Sequence, residues 1–385
     1  MTLVFFSDIA WDSLHQRPQH LATRLARQAR VLWVEPATLG SRLLISPREQ
    51  IPGVFRMTLP AFPMNARKKW IRHLAVTASR MYPLRLVLAG LQRALLRHGL
   101  RVVRIPGGET VCLVENIQFM HLTHTLRART VAFDYIDDVF GFTVFPDVLR
   151  RQWLSTVQRA DTVIVTSPTL RQRVIDVYPR DIRLIPNGVE FDRFAHPAEE
   201  TRPLDLPPEG LTIVGYTGSI YPWLDFGLLE RAIVSLAEYR FVLVGPLHPD
   251  VAVEMERLLR HRNFSYLGLK PYTEVPAYVR SFAAGMIPFK RTLLTEGVNP
   301  VKLYEYSAAG VPTVVTDFSE DMRAFSDLVL IARTEDEFVR HIRTAVSRRS
   351  DPSFTARLSS FARENDWESR TREFSALLQL TDRTP

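Results

Sequence analysis

The residues best suited to chemistry in this sequence lie between positions 295 and 315. Their pattern predicts a loop, a helix of about ten residues and a strand. Pro300 fits the first helical turn, where its missing N–H costs nothing, and Gly310 followed by Pro312 ends the helix. The free N–H groups at residues 299–301 and the positive end of the helix dipole favour a phosphate.

Lys302 and Glu305 are three residues apart, so they share one face of this predicted helix. An ammonium group one turn into the helix can bind a diphosphate. A carboxylate two turns in can accept hydrogen bonds from both hydroxyls of a ribose. The alternative for Glu305 is a buried carboxylate that caps a neighbouring loop.

Further donors are expected where predicted strands end, because ligands bind there in open α/β sheets. The stretch Gly215-Tyr216-Thr217-Gly218-Ser219 follows the first strand of the second half. Its glycines let backbone N–H groups approach a phosphate, which predicts contacts from Gly218 and Ser219. Gly268 ends another strand, and we place it near a nucleotide base.

A polar stretch also follows the first strand of the chain. Within it, Arg17 can bind a phosphate, and His15 or Trp11 can contact a sugar ring. The alternative is that Pro18 starts a helix while Arg17 makes a surface ion pair.

A second polar stretch, Asp134-Tyr135-Ile136-Asp137-Asp138, follows another strand of the first half. Such a group of carboxylates can suggest a metal site. The strand-end position favours Asp137 as the ligand of a substrate hydroxyl, with Asp134 as a structural partner.

Short apolar runs rich in β-branched residues alternate with helical patterns along most of the chain. In the first half the predicted strands are Leu3–Ser7, Val31–Val34, Thr110–Val114, Thr130–Asp134 and Thr162–Thr166. In the second half they are Thr212–Tyr216, Phe241–Val244, Phe264–Leu267, Gly285–Pro288 and Thr313–Val315. This alternation predicts an α/β fold of parallel sheets with helices on both faces.

A chain of 385 residues with this pattern is expected to form two domains of nearly equal size. We predict a first domain over residues 1–200, a proline-rich linker over 201–210 and a second domain over 211–360.

The net charge of +8 is concentrated in one segment. Between Asn65 and Arg104 there are ten Lys or Arg residues and no Asp or Glu, so the rest of the chain is near −2. Apolar residues recur there at helical spacing, at Leu84, Val87, Leu88, Leu91 and Leu95. The pattern favours a basic helix lying on an anionic membrane surface. The alternative is a solvated helix whose apolar stripe packs on its own core.

Nucleic acid is not expected as a partner, because no reading motif or interleaved aromatic set accompanies the charge. Cys112 is the only cysteine, which excludes an intrachain disulfide and suits a reducing compartment. The first residues lack the features of a signal peptide. We therefore expect a cytoplasmic protein that the basic segment holds at the inner face of the plasma membrane.

Residues 295–315 resemble the retaining GT-B glycosyltransferases of family 4, the glycosyl transferases group 1 domain. That family has a Glu, a glycine-rich loop, a second Glu and a small-residue helix ending in Gly-x-Pro-x-Val. Glu305 matches the second Glu, whereas Glu296 lies one residue further from it than is usual. Val298-Asn299-Pro300 replaces the usual Gly-Phe-Gly. This version, with Gln-Arg-Pro-Gln-His at 16–20, is similar to the teichuronic-acid-type glycosyltransferases of bacterial polysaccharide synthesis.

The resemblance implies a GT-B fold: two Rossmann-like, doubly wound parallel-sheet domains facing across a cleft, with no bound metal or other cofactor. Residues 361–385 are then a C-terminal helix that returns to the first domain. Catalytic roles are expected for Lys302, Glu296 and Asp137. Donor contacts are expected from Glu305, Gly218, Ser219, Asn299, Pro300, Gly297 and Gly268. Acceptor-side contacts are expected from Arg17, His15, Trp11 and Asp138.

The resemblance also implies a nucleotide-sugar donor, with uridine as the expected base, and a glycan or lipid-linked acceptor in surface polysaccharide synthesis. On a retaining route the departing phosphate takes the acceptor's proton, so no protein base is required. If the enzyme inverts, Asp137 is the candidate general base. The alternatives are a nucleotide-sugar epimerase of the same fold and a non-catalytic nucleotide-sugar sensor.

Overall fold

The structure, a computed structural model, describes residues 1–37, 43–63, 68–103, 109–141, 147–196 and 202–380, without the side chains of Lys69 and Val148. The chain divides into two compact units. The first unit comprises Met1–Thr166, Leu170–Ile185 and Thr371–Pro385, and the second comprises Ser167–Thr169 and Pro186–Arg370.

These bounds differ from the predicted ones at both ends of the second unit. The predicted first domain ran to residue 200, whereas the second unit already begins at Pro186. Residues 202–210 of the predicted linker belong to the second unit, and Thr201 lies outside the described residues. In the predicted terminal segment, residues 361–370 belong to the second unit and those from Thr371 onward to the first.

The first unit is built on one eight-stranded sheet. Its strands are β1 (Thr2–Phe6), β2 (Arg30–Pro36), β3 (Arg48–Ile51), β4 (Val54–Leu59), β5 (Thr110–Val114), β6 (Thr130–Tyr135), β7 (Thr162–Val165) and β8 (Ile182–Leu184). Their order is β3-β4-β2-β1-β5-β6-β7-β8, and every neighbouring pair is parallel except β3 and β4. The order reverses between β1 and β5, so this is where a ligand site is expected.

Both faces of this sheet are covered, as its apolar strands require. Leu3 and Phe5 pack into one hydrophobic cluster, whereas Val4 and Phe6 pack into another on the opposite face. Six helices follow in the chain order of this part: α1 (Arg17–Leu25), α2 (Lys69–Arg80), α3 (Tyr82–Val102), α4 (Thr123–Leu126), α5 (Asp147–Arg159) and α6 (Pro168–Val177). A 3₁₀ helix, Ile117–Leu122, precedes α4.

Helices α2 and α3 both lie within the basic segment. Its residues Asn65, Arg67 and Arg104 lie outside the described residues. The buried side of α3 consists of Gln92, Leu96 and Gly99. In the predicted apolar stripe, by contrast, Leu84, Val87 and Leu91 are exposed. These three side chains therefore do not pack on the core of their own unit, whereas Leu95 of the same stripe is partly buried against it.

The second unit has a six-stranded, wholly parallel sheet. Its strands are β9 (Ile213–Thr217), β10 (Arg240–Val244), β11 (Phe264–Tyr266), β12 (Ala284–Ile287), β13 (Thr313–Thr316) and β14 (Val329–Ala332). The order β11-β10-β9-β12-β13-β14 is that of a doubly wound nucleotide-binding sheet, and it reverses between β9 and β12.

The remaining helices cover this sheet and close the chain. They are α7 (Phe191–Ala195), α8 (Phe226–Ser235), α9 (Ala252–Leu258), α10 (Val275–Arg280), α11 (Leu293–Glu296), α12 (Val301–Ala308), α13 (Glu335–Arg348), α14 (Pro352–Glu364) and α15 (Trp367–Leu377). Two 3₁₀ helices occur at Pro249–Val251 and Glu320–Phe325. Among the helices of the described residues, none combines the length and the apolar character that crossing a bilayer requires.

Candidate active site

Helix α12 occupies the position predicted for it, and one side of it is anchored in the core. Leu303, Tyr304 and Tyr306 are each at most 1% exposed. Pro300 caps the helix rather than joining its first turn, with a ψ of 117°. Lys302 and Glu305 lie on the side that the core does not cover and are partly buried. The helix thus presents both charged side chains away from its packed face.

The ammonium group of Lys302 lies at the carboxyl end of β9. A Cβ atom at Gly218 would lie 2.4 Å from Cε and 2.5 Å from Nζ of Lys302. Nζ is also 5.2 Å from the centre of the Tyr216 ring and 5.9 Å from that of Phe289, which follows β12. Two aromatic faces and a glycine therefore hold the cation at the point where the strand order reverses.

The two glycines of the predicted phosphate loop have packing roles. Gly215 leaves room for the ring of Phe282, whose atoms would lie 2.3 Å from a Cβ there. The N–H of Gly218 donates to the carbonyl of Val244 at 2.8 Å, so it does not point at a ligand. The N–H of Ser219 has no acceptor among the residues that the structure describes. Of the two predicted contacts, only Ser219 retains a backbone donor for a phosphate.

Tyr306 of α12 anchors the end of β9. Its hydroxyl oxygen accepts a hydrogen bond from the Thr217 N–H at 2.8 Å. Its ring fits against Gly285 of β12, where a Cβ would lie 2.4 Å from the ring. Helix α12 and the carboxyl ends of β9 and β12 are therefore one packed arrangement.

Glu305 lies among charged and aromatic groups of the same unit. Burial raises its pKa to about 7, and the positive charge of Lys302 opposes this shift while Glu190 adds to it. Glu190 pairs with Arg193 at 2.7 Å, and Arg193 lies 5.5 Å from the centre of the Tyr272 ring. Burial raises the pKa of Tyr272, and the charges of Glu305 and Glu190 raise it further.

Lys302 and Glu305 have no partner among the described parts of the chain: neither makes an ion pair or a side-chain hydrogen bond there. Burial lowers the pKa of Lys302, and Glu305 partly offsets this. The mutual attraction of these two partly buried charges relieves only part of their desolvation cost, since neither has a hydrogen-bond partner. A ligand with oxygen acceptors beside Lys302 and hydroxyl donors beside Glu305 would remove that cost.

The side chain and the carbonyl group of Asn299 are bound within the second unit. Its Oδ1 accepts from the Asn187 N–H at 2.8 Å and from the Tyr304 hydroxyl at 3.0 Å. Its carbonyl oxygen accepts from the Asn187 side chain at 2.7 Å. The side chain of Asn299 therefore positions the start of α12, and a donor contact from its backbone N–H stays a prediction.

The other predicted donor-side residues lie in the loops around α11 and β11. Glu296 ends α11 and pairs with Arg291 at 3.0 Å. The carbonyl of Gly297 accepts a hydrogen bond from the Ser167 hydroxyl at 2.8 Å. Gly268 has a φ of +73°, and a Cβ there would meet no atom within 4 Å. Gly268 thus borders open space, as a base-binding position would.

In the first unit, carboxylates gather at the carboxyl ends of β1, β5 and β6. Asp137 is exposed, yet the protein atoms around it and the charge of Asp138 raise its pKa to about 6. Loss of surrounding solvent and the charge of Asp137 raise the pKa of Asp8 to about 6 as well. Glu115 is 7% exposed, and burial together with Asp134 and Asp8 raises its pKa. Asp137 therefore lies in an acidic group at the reversal point of this sheet.

No group of three or more His, Cys, Asp or Glu side chains among the described residues is arranged to hold a metal ion. The expectation that the protein carries no metal or other cofactor stays a prediction.

Arg17 does not present its guanidinium group as predicted. It is 2% exposed and donates to both carboxylate oxygens of Asp134, at 2.8 and 2.9 Å. Its Cζ lies 5.0 Å from the centre of the Phe374 ring. The predicted alternative of a surface ion pair is also incorrect, because the pair is buried. Pro18 does lie in the first turn of α1.

The three other residues predicted on the acceptor side differ in their surroundings. Asp138 is 1% exposed, accepts from the Phe140 N–H at 2.8 Å and pairs with Arg173, so it is not free to bind a substrate. Trp11 packs edge-on against Trp33 at 5.1 Å. His15 is partly buried, with its ring 4.3 Å from that of His20. Asp137 remains the predicted acceptor ligand with a solvent-accessible side chain.

Comparison with known families bears directly on the second unit. Residues 212–348 match the family model described as glycosyl transferases group 1. Over these residues the second unit is similar to the glycosyl transferases group 1 family. The match spans β9 to α13 and so includes Gly218, Lys302 and Glu305.

The resemblance to teichuronic-acid-type glycosyltransferases is confirmed by a relative. The chain is 27% identical over 233 residues to TuaH of Bacillus subtilis (strain 168), a proposed teichuronic acid biosynthesis glycosyltransferase. The alignment covers 59% of this chain and 58% of TuaH, so it spans less than two thirds of that relative.

Solved structures confirm the predicted fold class of two Rossmann-like parallel-sheet domains of the GT-B type. Sucrose-phosphate synthase from Thermosynechococcus elongatus is 15% identical, with a TM-score of 0.72 over 98% of each chain. A trehalose-6-phosphate structure from E. coli bound with UDP-2-fluoro glucose is also 15% identical, with a TM-score of 0.69 over 100% of each chain. At these identities the likeness is one of fold.

Four residues of these sites were not predicted. Asp8 lies two residues after β1 and Glu115 directly follows β5, so the strand-end rule applied to each strand would have found them. Glu190 and Tyr272 come close to Glu305 only through tertiary packing, and no local pattern marks them.

Proposed function

We propose that this protein transfers a sugar from a nucleoside diphosphate donor, with uridine as the base, to a glycan or lipid-linked acceptor in bacterial surface polysaccharide synthesis. One observation carries the proposal: Lys302 and Glu305 lie unpaired at the reversal point of the sheet of a unit similar to the glycosyl transferases group 1 family. The structure of the E. coli neighbour holds UDP-2-fluoro glucose, which supports a donor of this class.

In this proposal the donor's diphosphate binds beside Lys302, the N-terminus of α12 and the N–H of Ser219. Glu305 accepts hydrogen bonds from the ribose hydroxyls, and its raised pKa falls when those donors replace lost solvent. Gly268 borders the base. Glu296, held by Arg291, faces the sugar, and Gly297 and Pro300 shape the loop between Glu296 and α12.

The proposed reaction retains the configuration at the anomeric carbon. The bond from the anomeric carbon to the diphosphate oxygen breaks, and a bond to the acceptor oxygen forms on the same face. The acceptor's proton passes to the departing phosphate. Lys302 and the dipole of α12 stabilise the charge that develops on the leaving group. No step uses a metal ion.

The first unit is proposed to bind the acceptor through Asp137, whose accessible carboxylate can accept a hydrogen bond from the attacking hydroxyl. His15 and Trp11 are proposed to contact the acceptor's sugar rings.

The basic segment is proposed to hold the protein at the inner, cytoplasmic face of the plasma membrane. Support comes from the exposed apolar side chains of α2 and α3, among them Trp70 at 61%, Leu74 at 58% and Val87 at 70%. They lie within a segment that has ten cationic and no acidic residues. Exposed apolar side chains in a cationic surface fit an anionic bilayer.

A donor screen in the presence of membrane extract tests the proposal. Purified protein is incubated with UDP-, GDP- and dTDP-sugars, with and without extract, and released nucleotide and converted sugar are both measured. Release of UDP that depends on the extract is the expected result. Interconversion of the free nucleotide sugars would instead show an epimerase. A Glu305→Ala variant that supports polysaccharide synthesis in cells as well as the wild type would indicate a sensor.

The retaining route is tested on the product of that reaction. NMR of the new linkage is expected to show the anomeric configuration of the donor. An inverted product would overturn the retaining assignment and make Asp137 the general base.

A further inference from the structure

A cavity of about 560 Å³ lies in the first unit, on the side of the sheet covered by α3, α5 and the 3₁₀ helix Ile117–Leu122. None of the predicted donor or acceptor residues lines it. Its wall includes four arginines, Arg85 and Arg93 from α3 and Arg151 and Arg159 from α5. We call this cavity the arginine pocket.

The part of the chain that the structure describes places no acidic partner on the arginines of the arginine pocket. No Asp or Glu is among its lining residues. Within the described ranges, none of the four arginines forms an ion pair. Burial lowers the pKa of His121, which also lines the pocket, and a hydrogen bond to the carbonyl of Gln118 opposes this shift. The charges of Arg93, Arg85 and Arg159 lower the pKa of His121 further. Four unpaired guanidinium groups around one cavity suit a polyanion.

Two polar atoms in the wall of the arginine pocket are buried without a hydrogen bond to any described residue. Nε2 of His121 and Oε1 of Gln152 are buried and have no hydrogen-bond partner among the described residues. The Nδ1 of His121 is already used, at 3.0 Å from the carbonyl of Gln118. Because Nδ1–H of His121 donates to Gln118, its Nε2 donates to a bound oxygen only once the ring takes up a proton, which a bound anion favours. The NH2 group of the Gln152 side chain can donate as well, while its Oε1 accepts. Buried polar atoms of this kind are normally satisfied by a ligand or by water.

The edge of the arginine pocket is apolar and open. Tyr82 and Leu86 both line the pocket, yet they are 67% and 55% exposed. They are four residues apart on α3 and so lie on the same side of that helix. Val87, next in sequence, is 70% exposed. A cationic cavity bordered by exposed apolar side chains matches a ligand with a phosphate head and a hydrocarbon tail.

We propose that the arginine pocket binds the phosphate groups of a lipid-linked acceptor, with the hydrocarbon chain lying along Tyr82, Leu86 and Val87. This inference rests on the proposed function for the identity of the acceptor. It adds a binding site outside the donor and acceptor-sugar residues. The pocket would hold the anionic end of the acceptor next to the helices proposed to contact the membrane.

Isothermal titration calorimetry of the full chain with farnesyl diphosphate in a neutral detergent tests this inference, with inorganic pyrophosphate as the second ligand. The wild type is expected to bind farnesyl diphosphate at least about tenfold more tightly than pyrophosphate. Arg93→Ala/Arg159→Ala is expected to weaken that binding about tenfold or more. Ser155→Phe, which fills the pocket without removing a charge, is expected to weaken it as well.

The matched control is Arg97→Ala/Arg101→Ala, which removes two exposed arginines of α3 that do not line the pocket. It is expected to stay within about twofold of the wild type at 150 mM salt. Equal losses of farnesyl diphosphate affinity in both double variants would show that general surface charge causes the binding, and would overturn the proposed site. Unchanged binding by the pocket variants would overturn it too. Pyrophosphate binding as tight as the lipid's would show a free-phosphate site instead.

UDP is titrated separately into each variant, because the donor residues lie in the other unit. Pocket variants are expected to bind UDP as the wild type does. If no variant binds UDP while lipid binding still depends on the pocket, the proposed donor fails and the arginine pocket stands.

Discussion

Lys302 and Gly218 are in direct contact: the ammonium nitrogen lies where a side chain at residue 218 would begin, 2.5 Å from an ideal Cβ. Gly218 also has a φ of +125°, which L side chains rarely adopt. The glycine therefore serves the cation, by leaving space for it at the end of β9. A substitution there is expected to displace the ammonium group of Lys302.

Gly218→Ala is predicted to lower kcat/KM by at least about tenfold. The added methyl group would displace the Lys302 ammonium group, so the negative charge that develops on the departing phosphate would lose stabilisation in the transition state. Steady-state kinetics with the identified donor measures this. The matched control is Gly210→Ala, whose φ of +83° is also strained but whose Cβ would meet open space. Equal losses of activity in the two variants would show that backbone strain, and not Lys302, is responsible.

Glu305 is predicted to destabilise the protein at high pH. Its pKa is raised from 4.5 to about 7, so the folded state holds this proton more tightly than the unfolded state does. Stability is therefore lost as pH rises from 4.5 to 7. Glu305→Gln is expected to be more stable than the wild type at pH 8, by about 1–2 kcal/mol, and equal to it near pH 4.5.

Urea unfolding at the two pH values measures this difference. A Glu305→Gln variant that is less stable than the wild type at pH 8 would mean that the carboxylate has a stabilising partner in the folded protein. Such a result would also weaken the argument that Glu305 is reserved for a ligand.

The buried residues Arg17 and Asp134 are predicted to stabilise the first unit as an energetically coupled pair. Arg17→Met leaves Asp134 and the nearby Glu115 without their cation and is expected to cost about 3–5 kcal/mol. Asp134→Leu combined with Arg17→Met is expected to cost less than the two single changes together. Chemical denaturation of the three variants gives the coupling energy. Additive costs would contradict the pairing.

Asp137 is predicted to give the reaction an acid limb. Its pKa of about 6 means that kcat/KM for the acceptor rises with pH through about 6, as the carboxylate forms. Asp137→Asn is expected to lower kcat/KM about tenfold and to remove this limb. The exposed Asp147 provides the control variant, Asp147→Asn. An Asp137→Asn enzyme with the wild-type pH profile would exclude this carboxylate from acceptor binding.

Much of this fold is encoded locally, in apolar runs separated by helical patterns. All ten predicted strands occur, because buried parallel strands are short and rich in β-branched residues. Four strands, β3, β4, β8 and β14, were missed. β3 is the polar edge strand Arg48–Ile51, β4 is interrupted by Arg56, and β8 has only three residues, so none of these three carries the continuous apolar run on which the prediction relied. β14 does carry such a run and could have been predicted by the same rule.

The candidate site could be predicted where a single helix carries its residues. It could not be predicted where tertiary packing determines which residues meet. Lys302 and Glu305 share a helix, so their spacing alone placed them together. The role of Gly218 depends on where Lys302 ends up, and that is set by the contact of α12 with β9 and β12. The burial of Arg17 likewise depends on Asp134, which is distant in sequence. Tertiary contacts thus changed the roles of residues whose positions were predicted correctly.

The central claim is that Lys302 and Glu305 bind the diphosphate and ribose of a nucleotide donor. Isothermal titration of UDP at pH 8 into the wild type, Lys302→Met and Glu305→Gln tests it directly, with Glu256→Gln of α9 as the control. The wild type and the control are expected to bind alike, and each site variant to bind roughly 10- to 100-fold more weakly. UDP binding that is unchanged in both site variants would contradict the claim.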